Sequence, residues 1–108
     1  MAGVYRGFHR LYGALIRRLA AEARATGRRI ASVEWGSGGR LASILTAPPG
    51  ASAYFLGGLV LPQKPSGFDF AAFGRRLGAD LVVVFDGLAD PPQLFLTEPT
   101  SGQTRPVE

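Results

Sequence analysis

Apolar residues recur at steps of three and four along the first part of the chain, which predicts a long helix over Val4–Thr26. Gly27 is suited to end this helix, because glycine adopts the left-handed conformation that helix ends require. The predicted apolar stripe comprises Phe8, Leu11, Leu15, Ile16, Leu19 and Ala23.

Four short apolar runs, several of them rich in β-branched residues, predict strands. They are Ile30–Glu34, Tyr54–Leu61, Leu81–Phe85 and Gln93–Thr97. The second and third runs are continuous in apolar residues, which is typical of strands covered on both faces. Two further helices are predicted between the strands. One spans Arg40–Thr46 before Pro48, and the other follows Asp69, with Phe70, Phe73 and Leu77 on one face.

Because helices alternate with strands, the pattern predicts a three-layer α/β/α sandwich. Its sheet is expected to be mostly parallel or mixed, with about four strands. Residues 1–98 are expected to form a single domain. Residues 99–108 are polar and contain Pro99 and Pro106, so a loose C-terminal tail is predicted there.

Composition narrows the class of protein. The 108 residues are 46% apolar, which permits one buried core and excludes a disordered chain. The absence of cysteine excludes disulfides, thiolate metal sites and cysteine nucleophiles. The longest uncharged run, Leu41–Gln63, contains Pro48 and Pro49 at its centre and is not expected to span a membrane. No secretory signal pattern is present in Met1–Arg29, so a cytoplasmic location is expected.

The net charge of +4 is unevenly distributed, with +6 in residues 1–40 and −2 in the remainder. Arg10, Arg17 and Arg24 share one face of the first helix. A solvated helix face explains this stripe most simply, and a docking face for a partner or a second copy is an alternative. Nucleic-acid binding is not expected, because no aromatic residues are interleaved with the arginines.

Three segments contain residues suited to catalysis or to binding a ligand. Glu34–Gly39 joins a strand to a helix and could cradle a phosphate or carboxylate, although a tight turn explains it equally well. Ser52 precedes a strand and could be a nucleophile if a base is near, or could simply cap a turn. Asp86 and Asp90 follow a strand and could hold Mg²⁺ through water, but solvated loop acids are the simpler interpretation, and no metal site or cofactor is expected.

Taken in order, these segments resemble the C-terminal domain of the CinA (competence-damage-inducible) family, which also occurs as a nicotinamide mononucleotide amidase. Its stretches A-E-S-C-T-G-G, G-S-S-A-x-F and A-D-x-x-x-x-x-T-G-I-A-G-P correspond to Val33–Gly39, Gly50–Phe55 and Ala79–Pro91. The resemblance covers roughly residues 30–91. It implies hydrolysis of the nicotinamide mononucleotide amide by a serine nucleophile. It places Ser52 on that serine and implies substrate binding by Glu34, Ser37, Gly38, Gly39, Gly87 and Ala89.

The chain departs from the family pattern at several places, and the first of these concerns proton transfer. The family continues with Y-S-N-E-x-K, whose tyrosine and lysine positions are here Pro62 and Gly67. Lys64 lies three residues early and would need a rearranged loop to act as the base. The family's E-S-C becomes Glu34-Trp35-Gly36, and a block of two helices before the third segment is largely absent. The only histidine, His9, lies on the first helix, far from these segments.

Two hypotheses follow. The chain is either a CinA-like binding or assembly module with reduced or no catalysis, or a small amidohydrolase with Ser52 as nucleophile and Lys64 as base. The expected partners are a pyridine nucleotide or similar small anionic ligand, and a second copy of the chain. The small core makes self-association more favourable.

Overall fold

The computed structural model describes residues 2–107, with side chains from Tyr12 onward. His9, Phe8 and Leu11 therefore have side chains outside the described part. Within the described residues there are three helices and five strands, together with one short 3₁₀ turn at Ala51–Ala53. The helices are α1 (Ala2–Thr26), α2 (Arg40–Thr46) and α3 (Phe70–Leu77), and the strands are β1 (Ile30–Trp35), β2 (Phe55–Leu61), β3 (Leu81–Asp86), β4 (Gln93–Thr97) and β5 (Thr104–Pro106).

The strands form a single mixed sheet in the order β2-β1-β3-β4-β5. β1 pairs in parallel with β2 and β3, whereas β4 runs antiparallel to β3 and β5 antiparallel to β4. The predicted α/β class with a mixed sheet is thus confirmed, with one more strand than expected. The additional strand lies in residues 99–108, where the sequence predicts a loose tail. Its pairing with β4 is reinforced by a 2.8 Å hydrogen bond between Thr97 and Thr104 hydroxyls.

Two apolar cores lie on opposite faces of the sheet. On one face α1 and α2 pack through Ile16, Ala20, Ala23, Leu41, Ile44 and Leu45 against alternate residues of the strands. On the other face α3 and its preceding loop pack through Phe68, Phe70 and Phe73 against Ala31, Val33 and Trp35 of β1. The alternation of side chains along β1 thus supplies both cores.

The two termini of α3 follow the predicted capping pattern. Asp69 Oδ1 accepts a 3.0 Å hydrogen bond from Ala72 N, and Gly78 ends the helix in the left-handed conformation with φ of 76°. Leu77, predicted to share the buried face, is 39% exposed. Among the described helices, none is long and apolar enough to cross a membrane.

β2 is an edge strand, although its continuous apolar run predicts a buried one. None of its residues is fully buried, and Val60 is 51% exposed. The difference arises because a run of apolar residues with two glycines suits either a central strand or a weakly covered edge. The prediction that this strand is buried on both faces is therefore wrong.

A close approach between β1 and β2 depends on Gly58. A Cβ at this position would overlap Ser32 Oγ and lie 2.9 Å from the Ser32 carbonyl oxygen. The Ser32 hydroxyl is fully buried and has no hydrogen-bond partner in the described part of the chain. A buried hydroxyl without a partner costs about 1–3 kcal/mol in its lost hydration.

Replacing Ser32 with alanine is expected to raise the free energy of unfolding by about 1 kcal/mol, because the unpartnered hydroxyl is removed. Urea denaturation of Ser32→Ala measures this change, and Ser66→Ala in an exposed loop is the matched control. Gly58→Ala should destabilise the protein, and less so when Ser32 is already alanine. A destabilised Ser32→Ala protein would show that the hydroxyl has a partner in solution.

Candidate functional site

The parallel strands end together at one edge of the sheet. Trp35 at the end of β1 pairs with Leu61 of β2 on one side and with Asp86 of β3 on the other. The segments that follow these three residues therefore meet at one edge. Ligands of open α/β sheets bind at this carboxyl edge. All the predicted site residues except Ser52 lie there.

Glu34 caps α2 from inside the protein. Its side chain is fully buried, and Oε1 accepts hydrogen bonds from Ser37 Oγ at 2.6 Å and from Leu41 N at 3.0 Å. The other oxygen, Oε2, accepts from Ala42 N at 2.9 Å. A carboxylate at a helix N-terminus is stabilised by the helix dipole and by N–H groups that have no partner within the helix.

The first turn of α2 consequently has no free N–H group. Arg40 N donates to Ser37 O at 3.2 Å and Ser43 N donates to Gly39 O at 2.9 Å, while the two N–H groups between them donate to Glu34. The structure contradicts the expectation that this helix end cradles a substrate phosphate or oxyanion. The chain's own carboxylate occupies the position that such an anion would take.

Two glycines, Gly36 and Gly87, allow close backbone packing between the loop after β1 and the turn after β3. Gly87 N donates to Trp35 O at 2.8 Å, and a Cβ at Gly87 would lie 2.8 Å from the carbonyl of Gly36. Asp86 Oδ1 accepts from Leu88 N and Ala89 N, both at 3.0 Å. Gly87 and Ala89, predicted to bind substrate, thus belong to a tight turn that the Asp86 carboxylate caps.

Ser52 and Lys64 lie at opposite ends of β2. Ser52 is exposed in the 3₁₀ turn Ala51–Ala53 before the strand, whereas Lys64 follows its carboxyl end. At about 3.3 Å per residue the seven-residue strand alone separates them by roughly 20 Å. The structure therefore does not bring the predicted nucleophile and base together.

A cleft of about 200 Å³ lies at the carboxyl edge, on the side of the sheet that carries α3. We call it the Trp35–Lys64 cleft, and its lining includes Trp35, Lys64, Phe70, Asp86, Gln93 and Phe95. The indole of Trp35 is stacked on the ring of Phe70, with centroids 6.1 Å apart and an interplanar angle of 19°. Thr104 of β5 also lines the cleft, so the final strand helps to build it.

Sequence reasoning identified Lys64 but missed most of this cleft. Trp35, Phe70, Gln93 and Phe95 come from three separate elements, β1, α3 and β4, and only the folded arrangement brings them together. One signal was available, because the single tryptophan stands at the end of a predicted strand. Among the described residues, no group of three or more histidine, aspartate or glutamate side chains could hold a metal ion.

Comparison with known proteins finds similarity to one family. The model of the CinA C-terminal domain matches residues 13–64, just under half of the chain. Over these residues the chain is similar to the CinA C-terminal domain. No curated protein matches the sequence. The family match includes β1, the Glu34 cap, Ser52, β2 and Lys64.

Solved structures of CinA proteins share the fold. The competence or damage-inducible protein from Enterobacter asburiae is 18% identical, with 89% of this chain and 82% of that chain covered and a TM-score of 0.64. The competence/damage inducible protein CihA from Agrobacterium tumefaciens is 19% identical, with coverage of 89% and 78% and a TM-score of 0.64. The CinA superfamily protein from Enterobacter cloacae is 17% identical, with coverage of 89% and 76% and a TM-score of 0.63.

Replacing Glu34 with glutamine should lower the free energy of unfolding of this CinA-like domain by about 2–3 kcal/mol. The amide NH₂ of glutamine would face an N–H donor, so one hydrogen bond is lost and a buried donor is left without an acceptor. Denaturant titration measures the loss. Glu22→Gln on the exposed side of α1 is the control and should change stability by less than about 0.5 kcal/mol. Equal stability of the two variants would contradict the capping role.

Proposed function

We propose that the chain is a non-catalytic CinA C-terminal-like binding module whose ligand site is the Trp35–Lys64 cleft. The observation that carries the proposal is the residue placed beside Lys64. In the A-E-S-C-T-G-G stretch the family has serine at the position of Trp35, and here an indole lines the cleft in its place. An indole has no nucleophilic oxygen, and the one hydroxyl in the lining, that of Thr104, is hydrogen-bonded to the Thr97 hydroxyl.

The remaining hydroxyls are badly placed for catalysis. Ser52 lies at the far end of β2, and the Ser37 hydroxyl donates to the buried carboxylate of Glu34. A serine hydroxyl is a poor nucleophile until a base accepts its proton, and that base must be within hydrogen-bond reach. The alternative of an amidohydrolase that uses Ser52 and Lys64 would require the two ends of β2 to meet.

The purified protein is expected to release no ammonia from nicotinamide mononucleotide above the rate of a protein-free blank, because no serine lines the cleft and its Thr104 hydroxyl is hydrogen-bonded to Thr97. An enzyme-coupled ammonia assay measures the release, with Ser52→Ala run in parallel. Wild-type activity that disappears in Ser52→Ala would overturn the proposal and support the amidohydrolase. In the same samples, quenching of the single tryptophan should report ligand entry into the cleft.

Self-association is a second part of the proposal, and the β2 edge supports it. β2 has one neighbour in the sheet, carries no charge over Phe55–Leu61, and exposes half of Val60. An uncharged edge strand presents unpaired backbone groups to another strand, and the natural self-complementary partner is the same edge of a second copy. This edge suits the contact better than the arginine-rich first helix, whose like charges repel.

Val60→Lys is expected to convert a dimer to a monomer, because a charged side chain on an edge strand disfavours pairing with another strand. Light scattering after size exclusion measures the mass. Leu77→Lys, which adds the same charge at the end of α3, is the control and should leave the dimer intact. A wild-type protein that is monomeric at every concentration, or a Val60→Lys dimer, would contradict this part of the proposal.

A further inference from the structure

A second cleft, of about 170 Å³, lies at the other end of the parallel strands from the Trp35–Lys64 cleft. Its lining includes Ile30 and Leu81, which are the first residues of β1 and β3. Both belong to the core that α1 covers, so this cleft also lies on the other face of the sheet. We call it the Arg28–Arg105 cleft, after the two arginines that line it.

The floor of this cleft is aliphatic. It is formed by Leu19 and Ala23 of α1 and by Ile30, Leu81 and Leu96 of the sheet, and none of the described lining residues is aromatic. Leu19 is partly exposed, and Leu81 and Leu96 keep 6% and 7% of their surface accessible. Each CH₂ group that leaves water on such a floor contributes about 0.8 kcal/mol. The floor therefore suits an aliphatic chain.

Two cations stand at the opening of the cleft. Arg28 precedes β1 and Arg105 lies on β5, and both side chains are exposed, so a ligand in solution can reach them. Neither guanidinium forms an ion pair or a hydrogen bond with a described residue. A guanidinium presents its N–H donors in a planar fork that matches the two oxygens of a carboxylate.

The other polar groups of the lining leave this preference for an anion in place. Glu22 is the one acidic residue among the described lining residues, so the two arginines outnumber it. Arg18 lies four residues before Glu22 on α1, at the spacing of neighbours on a helix surface, and both line an adjoining depression. The Thr26 hydroxyl donates to the Glu22 carbonyl oxygen at 2.7 Å, so its proton is not available to a ligand.

The volume limits the length of the ligand. Sites for drug-sized molecules start at about 300 Å³, and this cleft is about 170 Å³. An apolar cavity of about 150 Å³ holds one benzene molecule, which has six carbons. A chain of about six carbons therefore fills the cleft, and a longer chain would extend into water.

We infer that the Arg28–Arg105 cleft binds a short aliphatic carboxylate, with the chain on the aliphatic floor and the carboxylate oxygens at the guanidinium groups of Arg28 and Arg105. This site is separate from the Trp35–Lys64 cleft, and the inference does not depend on the proposed function. It adds a second ligand site to the domain and names the chemical class of its ligand.

Titration of the ¹⁵N-labelled protein with hexanoate, hexanamide and acetate, followed by amide NMR shifts, tests the inference. Hexanamide keeps the chain without the charge, and acetate keeps the charge without most of the chain. Hexanoate is expected to bind with a dissociation constant on the order of 1 mM, because its charge contacts are exposed. It should bind about fivefold more tightly than hexanamide and at least about tenfold more tightly than acetate.

The shifted amides locate the site. Hexanoate is expected to shift the amides of Ile30, Leu81 and Leu96 and to leave those of Leu61 and Asp86, at the other end of the strands, unchanged. Equal affinities for hexanoate and hexanamide would overturn the role of the arginines. Equal affinities for hexanoate and acetate would overturn the role of the floor. No shift at Ile30, Leu81 and Leu96 would overturn the inference as a whole.

Variants assign the charge contacts. Arg28→Met and Arg105→Met should each weaken hexanoate binding about two- to threefold, and the double variant should bind hexanoate no more tightly than hexanamide. Arg76→Met removes a cation of α3, on the other face of the sheet, and should change neither affinity. Circular dichroism of each variant verifies folding. A double variant that still prefers hexanoate would contradict the assignment of the carboxylate to these two arginines.

The same spectra separate this inference from the proposed function. Nicotinamide mononucleotide that shifts Trp35 and its neighbours, with no effect of hexanoate, would overturn the inference and leave the proposed function intact. Hexanoate shifts at Ile30, Leu81 and Leu96, with no effect of the nucleotide at Trp35, would support the inference and count against the proposed ligand site.

Discussion

The hydrogen bonds between the buried Glu34 carboxylate and the start of α2 organise the carboxyl edge of the sheet. They join the end of β1 to the helix across the glycine loop. They also satisfy N–H donors that could otherwise bind an external anion. The loop, the helix and the strand are thereby held as one unit. As a result, the N-terminus of α2 offers no anion-binding site on the face of the sheet that carries α1 and α2.

The cleft lined by Trp35 and Lys64 lies on the opposite face of the sheet. There the ends of β1 and β3 lie against α3, and the turn capped by Asp86 packs closely on the backbone of Gly36. An aromatic residue at the end of β1 fills space that a small side chain would leave open. The exposed cation of this cleft, Lys64, lies among aromatic residues, and neither Ser37 nor Ser52 lines the cleft. This arrangement does not suit the transfer of a proton from a serine.

Individual helices and strands could be predicted, because hydrophobic periodicity and capping residues are properties of the local sequence. α2 and β4 have the predicted bounds, and Asp69 and Gly78 cap α3 as their positions indicate. What depends on strand order was not predictable. The distance from Ser52 to Lys64 and the edge position of β2 follow from which strands are neighbours, and motif order along the chain carries no such information. The role of Glu34 was also missed, since a carboxylate near a glycine loop can contact a ligand or cap the helix.

Alternation along β1 has a consequence for how this domain can diverge. Glu34 and Trp35 are adjacent in sequence, yet one side chain faces α2 and the other lies in the core beneath α3. A substitution at position 35 therefore changes the packing beneath α3 without removing the hydrogen bonds that cap α2. Two neighbouring positions of one strand can in this way vary independently, because the sheet separates the surroundings of their side chains.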